Sequence, residues 1–153
     1  VRPSQPLTSC LDGSVGEKIV NLNKANSDVI TFHCYEGVKL ERIIKNLLKL
    51  DRPVICTEYM AREFGTTFEF SLPIFKNYGV GCYNWGLVAG KSQTHFGWST
   101  IADLQKLKKG GKFLNSGDPI PEPEKWFHDI FRVDGSAYDD GEVSFIKMIT
   151  KQT

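Results

Sequence analysis

The sequence predicts an α/β fold built on a parallel sheet, and three observations carry that expectation. Short apolar runs recur along the chain: "PLTSC" at 6–10, "DVITFHCY" at 28–35, "PVICTEY" at 53–59 and "VGCYNWG" at 80–86. The cysteines inside them, Cys10, Cys34, Cys56 and Cys82, are 24, 22 and 26 residues apart, an interval that fits one strand, one helix and their connections. The segments between the runs change from strand-like to helical spacing.

Each element has its own local reason. The stretch 15–27, "VGEKIVNLNKANS", has a weak helical pattern. The stretch "VKLERIIKNLLKL" sets Val38, Leu40, Ile43, Ile44, Leu47, Leu48 and Leu50 at steps dominated by three and four, the signature of an amphipathic helix. In "TTFEFSLPIFKNYG", Thr66 with Glu69 three residues on reads as a capping box, and Gly79 is set to stop the helix. Pro73 falls in or near an early turn of that helix and can kink it. After residue 86 the pattern is less regular. "GLVAGKSQTHFGWS" reads as a long loop punctuated by glycine, and "IPEPEKWFHDIF" holds two prolines and an aromatic cluster. "DDGEVSFIKMIT" closes the chain as a short helix expected to turn Val143, Ile146, Met148 and Ile149 inward.

At 153 residues the chain is expected to form one domain, 1–153, large enough to bury a core. A hydrophobic content of 41%, a charged content of 24% and a net charge of +1 are ordinary for a globular protein and leave no nucleic-acid or acidic-membrane footprint. The strongest like-charge run is "KLKK" at 106–109. No apolar stretch approaches the roughly 18 residues of a spanning helix. The first residue is Val1, with neither an initiator Met nor a signal peptide, as in a processed product or a piece of something longer. The cysteines form no CxxC pair and read as small hydrophobes in apolar runs, so no metal site and no cofactor are expected.

Two architectures fit alternating strands and helices: an open doubly wound sheet and part of a (β/α)₈ barrel. No Gly-rich phosphate loop follows any strand, which counts against a nucleotide-binding open sheet and an NAD or flavin enzyme. Polar residues gather where the strands end: Thr8 and Ser9, His33 and Tyr35, Glu58, then Asn84 and Trp85. In a barrel those C-terminal ends form the active-site face. A carboxylate there beside aromatic rings suits glycoside hydrolysis, whose oxocarbenium-like transition state a close carboxylate can attack or stabilise. Taken singly, each residue has a plainer reading. Glu58 could be a rim ion-pair partner, Trp85 and His33 packing residues, Lys91 and His95 solvated loop groups, and His128 a packing residue tied to Asp129 or backbone.

The stretch "RPVICTEYMAREFGTTFEFSLPIFKNYGVGCYNWGLVAGKSQTHFGW", followed by "PEPEKWFHDIFRVDGSAYD", resembles the C-terminal half of a cellulase-like group of (β/α)₈ glycoside hydrolases. That group belongs to the clan with two catalytic glutamates at the ends of strands 4 and 7. The likeness runs from about Gln5 to Thr150, and its most specific segments are "CTEYMAR", "NWGLVAGKSQT" and "PEPEKWFHDIFR". It implies a TIM barrel of which only strands 5 to 8 are present, near 6–10, 28–35, 53–59 and 80–86. It also implies that Glu58 is the nucleophile and that His33 and Tyr35 orient it or touch substrate. Trp85 would border the cleaved sugar, with Asn84, Lys91, Gln93 and Trp98 as further substrate contacts. Cys34 stands where a more polar residue, often Asn, is expected.

The clan's acid/base glutamate follows an Asn, and no Asn-Glu pair occurs in this chain. The expectation is therefore a retaining hydrolase of a β-linked glycoside or polysaccharide, secreted or extracytoplasmic, whose acid/base lies outside this chain. Glu36 is the one local carboxylate that could substitute. The other half-barrel would come from the same longer chain, from a second chain, or be replaced by the tail after residue 86 covering the open face. Alone, the 153 residues are expected to have little or no hydrolase activity. The alternative is a non-catalytic carbohydrate-binding or interaction domain keeping the platform of Trp85, Trp98, Phe96 and Tyr35.

Overall fold

The apolar, β-branched run at 28–35 forms β1 (Ile30–His33), whose first three residues are all buried. Burial of consecutive residues means that both faces are covered, as in parallel sheets. The next run forms β2 (Val54–Glu58), and the third a two-residue strand, β3 (Gly81–Cys82). The computed structural model describes residues 3–109 and 120–151.

Helices fill the intervals. They are α1 (Glu17–Asn26), α2 (Gly37–Leu48), α3 (Phe68–Tyr78), α4 (Trp98–Lys109) and α5 (Asp140–Thr150). On α2 the expected stripe buries Leu40 and Ile44 fully and Ile43 and Leu47 in part. α3 buries Phe68, Leu72 and Phe75, and the Tyr59 ring meets Phe68 and Phe75 edge-on at 6.2 and 5.0 Å. Pro73 lies inside α3, and Gly79 ends it in the left-handed conformation (φ 62°). The cap is one residue later than the capping-box pattern suggests. Thr67 Oγ1 accepts from Phe70 N, while Thr66 Oγ1 is buried and bonded to the Ala61 backbone. On α5, Val143 and Ile146 pack on the core, but Met148 is 61% exposed rather than inward.

The half (β/α)₈ barrel does not form. The sheet is open and has three parallel strands in the order β1-β2-β3. A barrel must pair every edge strand with a neighbour until the sheet closes. The fourth expected strand, at 6–10, makes no ladder, and only Leu11 bridges to Phe32. Its backbone groups are taken elsewhere. Pro6 has no N–H, Leu7 N donates to the Asp28 carboxylate, and Ser9 N donates to Ser27 Oγ. The run at 80–86 also leaves the sheet after Cys82, and Asn84 turns the chain by donating to Gly86 O and His128 O. The four cysteines are free thiols, with Cys34 and Cys56 buried. Among the described residues no helix is long and apolar enough to cross a membrane, and no group of His, Cys, Asp and Glu is arranged to hold a metal ion.

The loop after β2 is bolted to the last helix. Arg62, 6% exposed, donates from Nε to Glu142 Oε1 (2.8 Å), from Nη2 to Oε2 (2.5 Å) and from Nη1 to Trp126 O (3.2 Å). Its guanidinium also lies 4.6 Å from the Tyr138 ring centroid. Removing one member strands the other as a buried, unpaired charge. Arg62→Ala is expected to lower stability by about 3–5 kcal/mol, read from the midpoint of denaturant unfolding.

Candidate functional site

The site begins at an irregularity in the ladder. Ile30, Thr31 and Phe32 pair with Val54, Ile55 and Cys56, but the register then shifts and His33 pairs with Glu58. An unbroken ladder would set His33 against Thr57 and Cys34 against Glu58. The slip re-aims one side chain, as β-bulges near sites do, and Cys34 N closes it by donating to Glu58 O at 2.9 Å. His33 Nε2 consequently stands 3.3 Å from Glu58 Oε1. The other oxygen, Oε2, accepts from the Tyr35 hydroxyl at 2.8 Å. Glu58 thus has one partner on each oxygen.

Burial is the main cause that pushes the Tyr35 phenol well above its ordinary pKa, followed by the hydrogen bond and charge of Glu58. Tyr35 is therefore a proton-holding donor, not a base. Behind it the His128 ring lies 5.5 Å away, 4% exposed, with Nδ1 2.5 Å from Met60 O. Burial pushes its pKa down, so it is neutral and Nδ1–H donates to that carbonyl.

Glu58 opens into a cavity of about 900 Å³ whose lining includes His33, Tyr35 and Trp98. The Tyr35 ring meets the Trp98 indole edge-on at 5.7 Å, and Phe64 lies 5.3 Å beyond it. Trp98 reaches this wall because Ser99 Oγ donates to the Glu63 carboxylate, tying the start of α4 to the loop after β2. Gly97 lets that carboxylate approach, since a Cβ there would collide with it. Two other carboxylates line the cavity and both are engaged. Asp12 accepts from Ser14 N (2.9 Å) and Ser14 Oγ (2.8 Å), bonds that hold its pKa below the usual range, and Glu36 pairs with Lys39 at 2.6 Å.

The remaining sequence candidates lie elsewhere. Trp85 is half exposed and is not in the lining of this cavity. Asn84 spends its amide N–H groups on backbone and acts as a turn tie. Lys91 and Gln93 are exposed on the turn before α4, with Gln93 in the left-handed conformation (φ 56°). His95 lies on the same segment, with Nδ1 3.8 Å from the fully buried Asp129, and lines a separate cavity with Trp126. Sequence reasoning missed Asp12, Ser14, Val38, Phe64 and Phe70. All five follow apolar runs or open helices; Val38 carried the signal of the α2 stripe, which its 92% exposure overrides, and the other four carried only that location.

Tyr35 and Tyr59 are both held above the ordinary phenol pKa, chiefly by burial. Above about pH 10 the unfolded chain ionises these phenols while the native state keeps their protons, so stability must fall as pH rises. The buried thiols Cys34 and Cys56, also raised, add to the fall from about pH 9. Unfolding midpoints measured up the alkaline range should decline less steeply in Tyr35→Phe than in the parent chain. Comparison with protein-family models, curated proteins and solved structures finds no match to this chain.

Proposed function

We propose that the Glu58 cavity is the nucleophile side of a retaining glycoside hydrolase site acting on a β-linked glycoside or polysaccharide. One observation carries the reading. A carboxylate at a strand's C-terminal end faces an aromatic-walled cavity of about 900 Å³, fixed by Tyr35 on one oxygen and flanked by His33 on the other. A nucleophile held in one orientation loses little freedom on reaching its attack geometry. The resemblance of "CTEYMAR" to strand 7 of retaining cellulase-like enzymes points the same way.

In this reading a Glu58 oxygen attacks the anomeric carbon, the bond to the leaving oxygen breaks with its electron pair, and a glycosyl ester forms on Glu58. Water then hydrolyses the ester with retention. Natural leaving groups need a proton from an acid, a contribution of roughly 10²–10⁴-fold. Asp12 and Glu36, the other carboxylates of the lining, are bound to Ser14 and Lys39, and the Ser14 bonds hold the Asp12 carboxyl below the usual range, the wrong direction for a proton donor. The acid/base is therefore a residue outside this constellation, and these residues by themselves turn over only glycosides whose leaving group departs without a proton. The same engagement favours the second reading, a carbohydrate-binding domain that does no chemistry.

A 2,4-dinitrophenyl 2-deoxy-2-fluoro-β-glycoside separates the two, because its leaving group departs as the anion and its ester hydrolyses slowly. Incubation with gluco, xylo, manno and galacto forms should add one glycosyl mass, mapped to Glu58 and absent from Glu58→Gln. Absence of any adduct on folded protein rejects the catalytic reading. Saturable sugar binding without an adduct favours the binding domain.

A further inference from the structure

The cavity is divided along the rim of the sheet. At the end beside β1 its lining is polar, with Asp12 and Ser14 next to His33. Along the chain after Glu58 the lining comes from Phe64, Gly65, Phe70 and Trp98, none of them charged. Glu36 and Lys39, which flank Val38, also line the cavity and are paired with each other. Val38, at the start of α2, joins this apolar end. These side chains are unusually open for their type: Val38 is 92% exposed, Trp98 53%, Phe64 47% and Phe70 44%. Contiguous exposed apolar surface continuous with a polar cavity marks ligand contact more than chance packing.

The ledge is also built rigidly. Phe64 follows the buried Arg62 clamp and its N–H donates to Ala61 O. Phe70 rests on Gly37, where a Cβ would come within 2.8 Å of its ring. Trp98 is held by contacts to Tyr35, Phe64 and Phe127 at 5.3–5.7 Å between ring centroids.

We propose that this site takes a β-glycoside whose aglycone is an apolar ring system. The sugar lies toward Asp12, Ser14 and His33, and the aglycone lies across Val38, Phe64, Phe70 and Trp98. The inference rests on the glycosidase reading and adds the substrate class to it. A second sugar laid across Val38, Phe64 and Phe70 would set its hydroxyls against side chains that cannot pair with them, with the Trp98 indole N–H the one donor of the four, and unpaired hydroxyls are costly. A phenyl or larger aromatic group has no such groups and gains from the area that it covers.

Sulfur-linked probes, which are not cleaved, test this apart from catalysis. Phenyl and methyl 1-thio-β-glycosides of the same four sugars, with an S-linked disaccharide of each, are titrated calorimetrically against the protein. The phenyl compound of the preferred sugar should bind at least about tenfold tighter than the methyl one, as expected for a buried ring. Phe64→Ala and Phe70→Ala should each reduce that ratio, with circular dichroism verifying the fold. Equal affinity of phenyl and methyl probes would overturn the aglycone assignment and leave the glycoside reading standing. So would an S-linked disaccharide that binds tighter than the phenyl probe and weakens in Phe64→Ala. No binding by any probe would overturn both.

Discussion

The candidate site depends on a single break in the β1–β2 ladder. Three residue pairs run in register, and then one residue of β1 advances against two of β2, so that His33 rather than Cys34 faces Glu58. Because side chains alternate faces along a strand, this slip decides which residue shares a side with the carboxylate. Tyr35, two residues on, completes the arrangement by donating to the second oxygen. The residue that an unbroken ladder would bring opposite Glu58, Cys34, instead turns into the core at 5% exposure. A carboxylate at this depth, with its side chain 21% exposed, is tolerated because both oxygens have neighbours and the residue lines the cavity.

A second layer of polar contacts positions the cavity wall. The Arg62–Glu142 pair joins the loop after β2 to a helix 80 residues away, and the next residue, Glu63, holds the start of α4 through Ser99. Two consecutive charged residues thus tie the segments that carry Phe64 and Trp98, the aromatic side of the cavity, to separate partners. The buried pair is weak evidence for net stability, since desolvation offsets much of its attraction. Its geometric effect is clearer: a bidentate guanidinium admits few alternative poses for the loop that carries Phe64.

Local pattern made some of this legible and left the rest hidden. The α2 stripe with Leu40 and Ile44, the stop at Gly79 and the carboxylate ending "VICTE" were readable because each depends on residues within about four positions. The shift from Thr66 to Thr67 as the cap of α3 was not, because a tertiary bond to the Ala61 backbone claims the Thr66 hydroxyl. Sequence reasoning set Trp85 beside the sugar and Trp98 only as a further contact, whereas the cavity lining holds Trp98 and not Trp85. The choice between them turns on the Asn84 turn and the Glu63–Ser99 tie, which link segments 44 and 36 residues apart. The sheet's extent was misread for a similar reason. An apolar run such as "PLTSC" reports the ability to be a strand, but the side chains of Asp28 and Ser27 bind its backbone instead.

By itself the sequence determined an α/β chain of alternating apolar strands and amphipathic helices, with Glu58 at a strand end and aromatic residues after it. Those features follow from periodicity and short-range hydrogen bonding. Tertiary structure alone decided that the sheet stops at three strands, which Glu58 oxygen each of His33 and Tyr35 takes, and that Trp98 walls the cavity. Each of those outcomes depends on which distant groups satisfy a given backbone or carboxylate oxygen, a competition settled only when the whole chain is packed.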